Sequence, residues 1–514
     1  MNEMTDLKQM EKWFMMYPKM RLTAMIISVT LLLLGCTDLD TPPQSSVTPD
    51  DFYKTEKELV AAVIPAYNSL VNFTWEGPMF LQNVCTDEIV IPQRGGDWGD
   101  GDIWKDLHRH EWRSTNPHIN DGWVRLYQGV ARCNSVLDAL SKADQTALVT
   151  TFISEARVLR AYYYFHLMDL FGNVPIVTSA FSDPDNPPQQ NSRTEVFNFV
   201  VSEITASLPN LEASFGAGNW GRVSQSAAQA ILATVYLNAE VYTGTARWAE
   251  CEAACDAIIN SGEFSLNTNY FDTFDPTKEG PTNPELIWVT GHANQSGVGF
   301  FRHMATLHYN HVPWTPWNGF SVVADFYNRY DTSDVRLDQF LVGQQYWLAG
   351  PKAGLPTTDR ADNPLILSVN INSLDGASES EGARIMKWPV DPNATNENAG
   401  NDFALFRYAG ILLTKAEAVL MQSRAGEATD LVNQVRERAF EPDKPLATVT
   451  RDDILNERGF ELVWENFRRQ DLIRTGHFGD SWNFKTVNEP FRALYPIPQG
   501  QLDANPNLQQ NPGY

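Results

Sequence analysis

The sequence predicts a mainly α-helical protein: an all-α scaffold of tetratricopeptide-like helical hairpins carrying an irregular, loop-rich binding subdomain with minor β-structure. Three observations predict it. Apolar residues recur at three- and four-residue steps through residues 51–264 and 401–514. Short turns join these runs into successive hairpins, although no strict repeat signature recurs. Residues 265–400 lose the helical period and are rich in Asn, Asp, Gly, Pro and Thr. So long an irregular segment on a rigid scaffold usually holds function.

The elements follow in order. Leu59, Val63, Tyr67 and Leu70 share the face of a first helix, which Pro65 is expected to kink or shorten. Phe152, Ala156, Leu159, Tyr163, Leu167 and Leu170 line a long helix, stopped by Gly172 with Pro175 beyond. Ala228, Ile231 and Val235, then Trp248, Cys251, Cys255 and Ile258, give two helices joined by a tight turn at 243–245. Within the irregular segment Leu365, Leu367, Val369 and Ile371 alternate like a strand. Leu405, Tyr408, Leu412, Ala416 and Val419 resume the helical pattern, followed by Ala428, Leu431, Val435 and Ala439. Leu455, Gly459, Val463 and Phe467 close the series in a charge-dense helix over 456–474, where Glu465 has ion-pair spacing to Arg468 and Arg469. That spacing favours a network locking the scaffold over a glycosidase carboxylate pair.

The first 35 residues read as an address. Lys19 and Arg21 precede an apolar run from Leu22 to Leu34, too short to span a bilayer comfortably, and Leu33-Leu34-Gly35-Cys36 follows. Residues 1–35 are therefore expected to be a lipoprotein signal peptide and Cys36 the lipid-attachment site. Met16 and Met20 are plausible starts. Residues 36–50, polar and with Asp38 and Asp40, form a flexible tether.

The chain of 514 residues holds 39 Lys and Arg against 63 Asp and Glu, a net charge of −24. Removing residues 1–35 leaves 35 against 60, or −25. A chain this acidic repels polyphosphate, so nucleic acid is not an expected partner. Cys251 and Cys255 lie one helical turn apart and read as small buried residues. His108 and His110, and His303, His308 and His311, lack cysteine or carboxylate partners at ligand spacing, so no metal or cofactor is expected. Gly216-x-Gly218-x-x-Gly221 matches a dinucleotide fingerprint, but it follows a polar loop and leads to a helix capped near Ser224, without a βαβ unit.

The loop aromatics carry the binding expectation. Trp98 is flanked by Gly96, Asp97, Gly99, Asp100 and Gly101, with no local apolar neighbour to bury it. Trp104, followed by Leu107, is expected to be buried. A second cluster runs Tyr309-Asn-His-Val-Pro-Trp314-Thr-Pro-Trp317, with prolines stiffening it. A sugar ring has C–H faces that pack on aromatic planes and a hydroxyl rim that needs planar donors and acceptors. Asp87, Arg94 and Asp97 are placed to supply that rim around Trp98, with Tyr309, Trp314 and Trp317 completing the site.

Four segments resemble the SusD/RagB family. They are Glu155-Ala-Arg-Val-Leu-Arg-Ala-Tyr-Tyr-Tyr-Phe with Leu170-Phe-Gly-Asn-Val-Pro175; Arg407-Tyr-Ala-Gly-Ile-Leu-Leu-Thr-Lys-Ala-Glu417; the stretch from Asn456 to Gly476; and a terminus running from Leu494-Tyr-Pro-Ile-Pro498 to Asn505-Pro-Asn-Leu-Gln-Gln-Asn-Pro-Gly-Tyr514. Positions 410 and 459 hold Gly where that family commonly has larger residues. The resemblance implies a non-catalytic surface lipoprotein of the Bacteroidota outer membrane, which captures oligosaccharides and sits as a lid on a SusC-like TonB-dependent transporter. Asp38 and Asp40 fit its acidic surface-export stretch. The alternatives are a peptide ligand and, further off, a glycoside hydrolase.

Overall fold

Capping chemistry sets where the scaffold helices begin and end. The computed structural model describes residues 55–514 apart from 182, 184 and 487, so the expected signal peptide, Cys36 and the expected tether lie outside the described residues. Helix α1 (Glu56–Asn68) opens on a capping box between Thr55 and Glu58. It runs through Pro65 and tightens into a 3₁₀ turn at Ser69–Phe73, so the expected shortening is slight. Then come α2 (Gly77–Asn83), α3 (Ile103–Arg109) and the two long helices α4 (Pro117–Ser141) and α5 (Ala147–Phe171). Thr146 caps α5 by accepting from the Val149 N–H, and Gly172, at φ +75°, ends it where sequence placed the stop.

Helices α6 (Arg193–Ser207), α7 (Gln225–Leu237) and α8 (Trp248–Ile259) continue the scaffold, α7 beginning at a Ser224 cap. After the irregular segment come α9 (Tyr408–Met421), α10 (Ala425–Arg436), α11 (Arg451–Leu462) and α12 (Arg468–Thr475). Sequential neighbours pack as hairpins: α4 on α5, α7 on α8, and α9 on α10. Helix α9 also packs on α8, which joins the two ends of the chain into one scaffold. This is the mainly α, helical-hairpin architecture that the periodicity predicts. Cys251 and Cys255 are buried in α8.

The irregular segment is held by four short antiparallel ladders. The strands are β1 (Ile89–Val90), β2 (Leu286–Thr290), β3 (Ser321–Val322), β4 (Phe340–Leu341), β5 (Gly343–Gln344), β6 (Ile366–Leu367), β7 (Arg384–Ile385) and β8 (Phe403–Arg407). Strand β2 pairs with β8, Leu286 opposite Arg407, so the two ends of the segment are zipped together where it leaves and rejoins the scaffold. Strand β1 pairs with β3, Ile89 opposite Val322, which fastens the early aromatic loop to the segment. Of the expected strand at 365–371, only Ile366 and Leu367 form a ladder, opposite Gln344 and Gly343.

A buried ionic network joins segment and scaffold. Arg407 contacts Glu285 at 2.8 Å, Glu461 at 2.6 Å and Glu465 at 2.8 Å. Arg438 shares Glu285 and Glu461; Arg336 takes Asp334, Glu457 and Glu461; Arg436 takes Glu457; Lys387 takes Glu465. Five cations face five carboxylates, so this network is neutral and each of its charges is compensated.

The charge-dense stretch 456–474 is two helices, a correction to the single helix expected. It breaks between α11 and α12, with Trp464 at φ +61° and Asn466 at φ +71°. Tertiary partners outcompete helical bonds there: the Trp464 N–H donates to Glu88 at 3.0 Å, and Arg302 donates to the Trp464 carbonyl and to Asn466 Oδ1. Glu465 consequently pairs with Lys387 and Arg407 rather than with Arg468 or Arg469, which turn to Asp87 and Asp169. Gly459 makes room for Arg468: a Cβ there would lie 2.8 Å from its Nη1.

Candidate functional site

The loop between α2 and α3 is shaped by left-handed backbone. Gly95, Trp98, Asp100, Gly101 and Asp102 all have positive φ, which explains the choice of Gly or Asp at 95 and 100–102. Arg94 and Asp97 exchange backbone hydrogen bonds of 2.9 and 3.0 Å across the turn. Positive φ strains a residue as bulky as Trp98, at +63°, so other contacts must fix it. Its Nε1 donates to the Trp317 carbonyl at 2.7 Å. Its ring meets Phe320 edge-on at 5.7 Å and Trp104 at 5.7 Å, and lies flush on Gly319.

Trp98 is therefore half-buried, with packing partners from residues 317–320 that the local sequence did not reveal. Trp104 is buried as expected, and fully buried Phe320 is the hub beneath both. Trp317, also half-buried, continues the surface, with Trp75 at 5.1 Å and Phe301 stacked at 6.5 Å. Trp75 and Phe301 escaped the sequence reading because only tertiary packing brings them against Trp317.

The polar rim differs from expectation. Asp97 Oδ2 accepts the Tyr309 hydroxyl at 2.5 Å, which brings the two predicted clusters together. The Tyr309 ring is only 8% exposed, because the Arg360 guanidinium lies over it at 4.0 Å. Arg360 also reaches Asp97 at 3.4 Å and holds Glu379 through its Nε and its backbone N–H. Glu379 accepts in addition from His308, 3.1 Å away. Burial first, then the bond to Asp97, raises the Tyr309 pKa. Burial pushes His308 down to about 4, so it is neutral at pH 7. Burial works to raise the Glu379 pKa, but the Arg360 backbone and side chain outweigh it and hold the carboxyl below its usual range.

Three predicted rim or platform residues are placed elsewhere. Asp87 is buried and bidentate to Arg468 at 2.8 Å, with Arg329 on the same carboxylate. Burial would raise its pKa, yet the two guanidiniums hold it well below the carboxylate range, which makes it scaffold. Arg94, 1% exposed, donates to Ser321 Oγ and to the carbonyls of Ser378 and Glu381, bracing the loop from beneath. Trp314 is half-buried with its Nε1 turned inward, and it makes no ring contact with any described aromatic.

The result is a shallow surface of Trp98, Trp317, Trp75 and Phe301, edged by Asp97, Arg360 and Glu379. A cleft of about 570 Å³ lies between α1, α4 and residues 220–222 and shares no residue with it. In that cleft Arg125 pairs with Glu76 and Arg222 with Glu155, and the aromatics Tyr67 and Trp220 are bonded to Glu155 and Asp402; the surface of four adjoining rings remains the stronger candidate. The described residues hold no cluster of three or more His, Cys, Asp and Glu arranged for a metal ion.

Two family models match the chain: one described as the SusD family over residues 259–514, and one as starch-binding associating with outer membrane over residues 39–237. Starch-binding protein SusD of Bacteroides thetaiotaomicron is 26% identical over 470 residues, which cover 81% of this chain and 82% of that protein. A SusD-like protein of Bacteroides ovatus is 26% identical over 473 residues, 87% of this chain and 81% of that one. Among solved structures, a SusD superfamily protein from Parabacteroides distasonis superposes with a TM-score of 0.74 at 23% identity, covering 90% of this chain and 100% of that chain. Surface glycan-binding protein A from Bacteroides thetaiotaomicron, in complex with laminarihexaose, does so with a TM-score of 0.71 at 22% identity, covering 89% and 99%. With family matches across both halves, four motifs in order and a shared fold, this chain belongs to the SusD/RagB family.

Proposed function

We propose that this protein is a non-catalytic glycan-binding lipoprotein of the outer-membrane surface, anchored through Cys36, which captures oligosaccharides and delivers them to a SusC-like TonB-dependent transporter. The observation that carries the reading is the fixing of Trp98. Its indole is locked on Gly319 and Phe320 and bonded to the Trp317 carbonyl, so a large aromatic stays partly open beside a rim of hydroxyl-reading groups. Such preorganisation lowers the entropic cost of binding. The ligand class is supported by the names of the relatives, a starch-binding protein and a surface glycan-binding protein solved with laminarihexaose. The location is supported by the family description and by the Leu33-Leu34-Gly35-Cys36 sequence. No described helix is long and apolar enough to cross a membrane.

The rim also argues against cleavage. Glycoside hydrolysis needs one carboxyl held protonated as general acid. Glu379 is held ionised by Arg360, and Asp97 already accepts from Tyr309. Screening the purified protein on a glycan array, with chromatography of the recovered sugars, tests the reading. Retention of an intact oligosaccharide is expected; release of shorter products, or retention of no glycan, overturns it.

A further inference from the structure

We infer that this site selects uncharged oligosaccharides, and that Asp97, Glu379 and Arg360 enforce that choice; the inference rests on the glycan reading above. Arg360 is the one described cation that lies against the rings at the surface, with its side chain 50% exposed. It is already committed to two carboxylates, Glu379 and Asp97. His308, the second partner of Glu379, is neutral at pH 7. The solvent-facing ionised groups of the rim, Asp97, Glu379 and Arg360, therefore sum to one negative charge.

The surroundings deepen that sign. Asp100 and Asp102 are exposed on the Trp98 loop, and Asp362 on the Arg360 loop. Lys105 is buried against Asp102 and Asp375, and Lys352 is turned onto the Trp347 ring. Arg94 and Arg384, buried beneath the loop, donate to carbonyls and to Asn318 and Ser321 and present no guanidinium to the surface; their charges face Glu381 as well as the rim, so the negative excess rests on the exposed aspartates. An incoming carboxylate or sulfate thus finds no uncommitted guanidinium at the rings and meets excess negative charge. A neutral sugar finds carboxylate acceptors and guanidinium N–H groups for its hydroxyls. In water-like surroundings, one uncompensated charge at about 6–8 Å changes affinity roughly two- to threefold. The overall charge of −24 adds a longer-range repulsion that salt screens.

Calorimetry of the purified protein against two equal-length panels tests this. The neutral panel is malto-, laminari-, cello-, xylo- and mannohexaose; the anionic panel is hexagalacturonate and sulfated carrageenan oligomers. At least one neutral hexaose is expected to bind, with every anionic oligomer tenfold or more weaker at low salt and the gap narrowing as salt rises. An anionic oligomer that binds as tightly as the best neutral one overturns the inference and leaves glycan capture intact. Binding of no member of either panel overturns both. The double variant Asp97→Asn, Glu379→Gln uncovers Arg360 and is expected to bind hexagalacturonate about five- to tenfold more tightly than the parent. An unchanged hexagalacturonate affinity in the folded variant also overturns the electrostatic assignment.

Discussion

Gly319 makes a sharp test of the site, because its missing side chain is what seats Trp98. A Cβ at position 319 would lie 2.3 Å from the Trp98 ring, well inside contact distance. The backbone at 319 is not in the left-handed region, so alanine meets no conformational strain and the clash falls on the indole. To regain contact at about 3.5–4.0 Å the ring must retreat by more than ~1 Å. That displacement breaks the 2.7 Å bond to the Trp317 carbonyl and the edge contact with Phe320. Overpacking of this kind costs about 1–3 kcal/mol, and loss of a central aromatic anchor more than about 2 kcal/mol of binding. Gly319→Ala is therefore expected to weaken glycan binding by roughly tenfold or more, with a smaller loss of stability. Calorimetry with a glycan found by array, alongside denaturant unfolding, reads both. The decisive comparison is a double-mutant cycle: once Trp98→Ala has removed the ring, Gly319→Ala should change affinity no further. Additive losses, or wild-type affinity in either single variant, would refute the reasoning.

Three other outcomes follow. Asp87→Asn strips charge from a buried carboxylate shared by Arg468 and Arg329, so stability should fall by about 3–5 kcal/mol while the folded fraction keeps its glycan affinity; lost binding at wild-type stability would return Asp87 to the site. Glu417, buried beneath Arg474 and Arg451, has its pKa pulled from 4.5 down to about 2: burial opposes ionisation and the guanidiniums outweigh it. A folded pKa below the unfolded one gives stability that is present above pH 4.5 and drains as pH falls toward 2, about 3 kcal/mol in all; the stability gap between wild type and Glu417→Gln should close over that window, and a gap independent of pH would exclude the mechanism. Cys36→Ala should move the protein out of the membrane fraction and abolish palmitate labelling, whereas native pull-down of the unaltered protein should bring a TonB-dependent barrel with it; recovery of the protein alone under conditions that preserve other membrane complexes would count against the partnership.

The scaffold was legible because its signals are local. Gly172 as a helix stop, Ser224 as a cap and the one-turn spacing of Cys251 and Cys255 each depend on neighbours within a few residues. The site was legible only in part. The Trp98 loop and the 309–317 cluster stand out in the sequence as candidates, and the Asp97–Tyr309 bond joins them. What packs on Trp98 comes from more than 200 positions away, at Gly319 and Phe320. Arg360, 263 positions from Asp97, belongs to a loop with no periodicity to mark it. The same cause misled the reading of 456–474: spacing allowed local ion pairs, but Lys387 and Arg407 reach Glu465 from distant segments, while Arg468 is taken by Asp87.

The pairing of β2 with β8 has a consequence for how such a protein diversifies. Because Leu286 and Arg407 sit opposite one another, everything between them leaves and re-enters the scaffold at a single point. The entropy lost on closing a loop grows only with the logarithm of its length, about 0.6 kcal/mol for each doubling. Lengthening, trimming or replacing the intervening turns therefore perturbs the helical frame little, provided the two strands and the buried anchors Arg302, Arg336, Lys387 and Arg407 persist. A lineage under pressure to meet a new ligand can redraw the contact surface by insertion and deletion, while the helices that support it accumulate only the slow substitutions of a packed core.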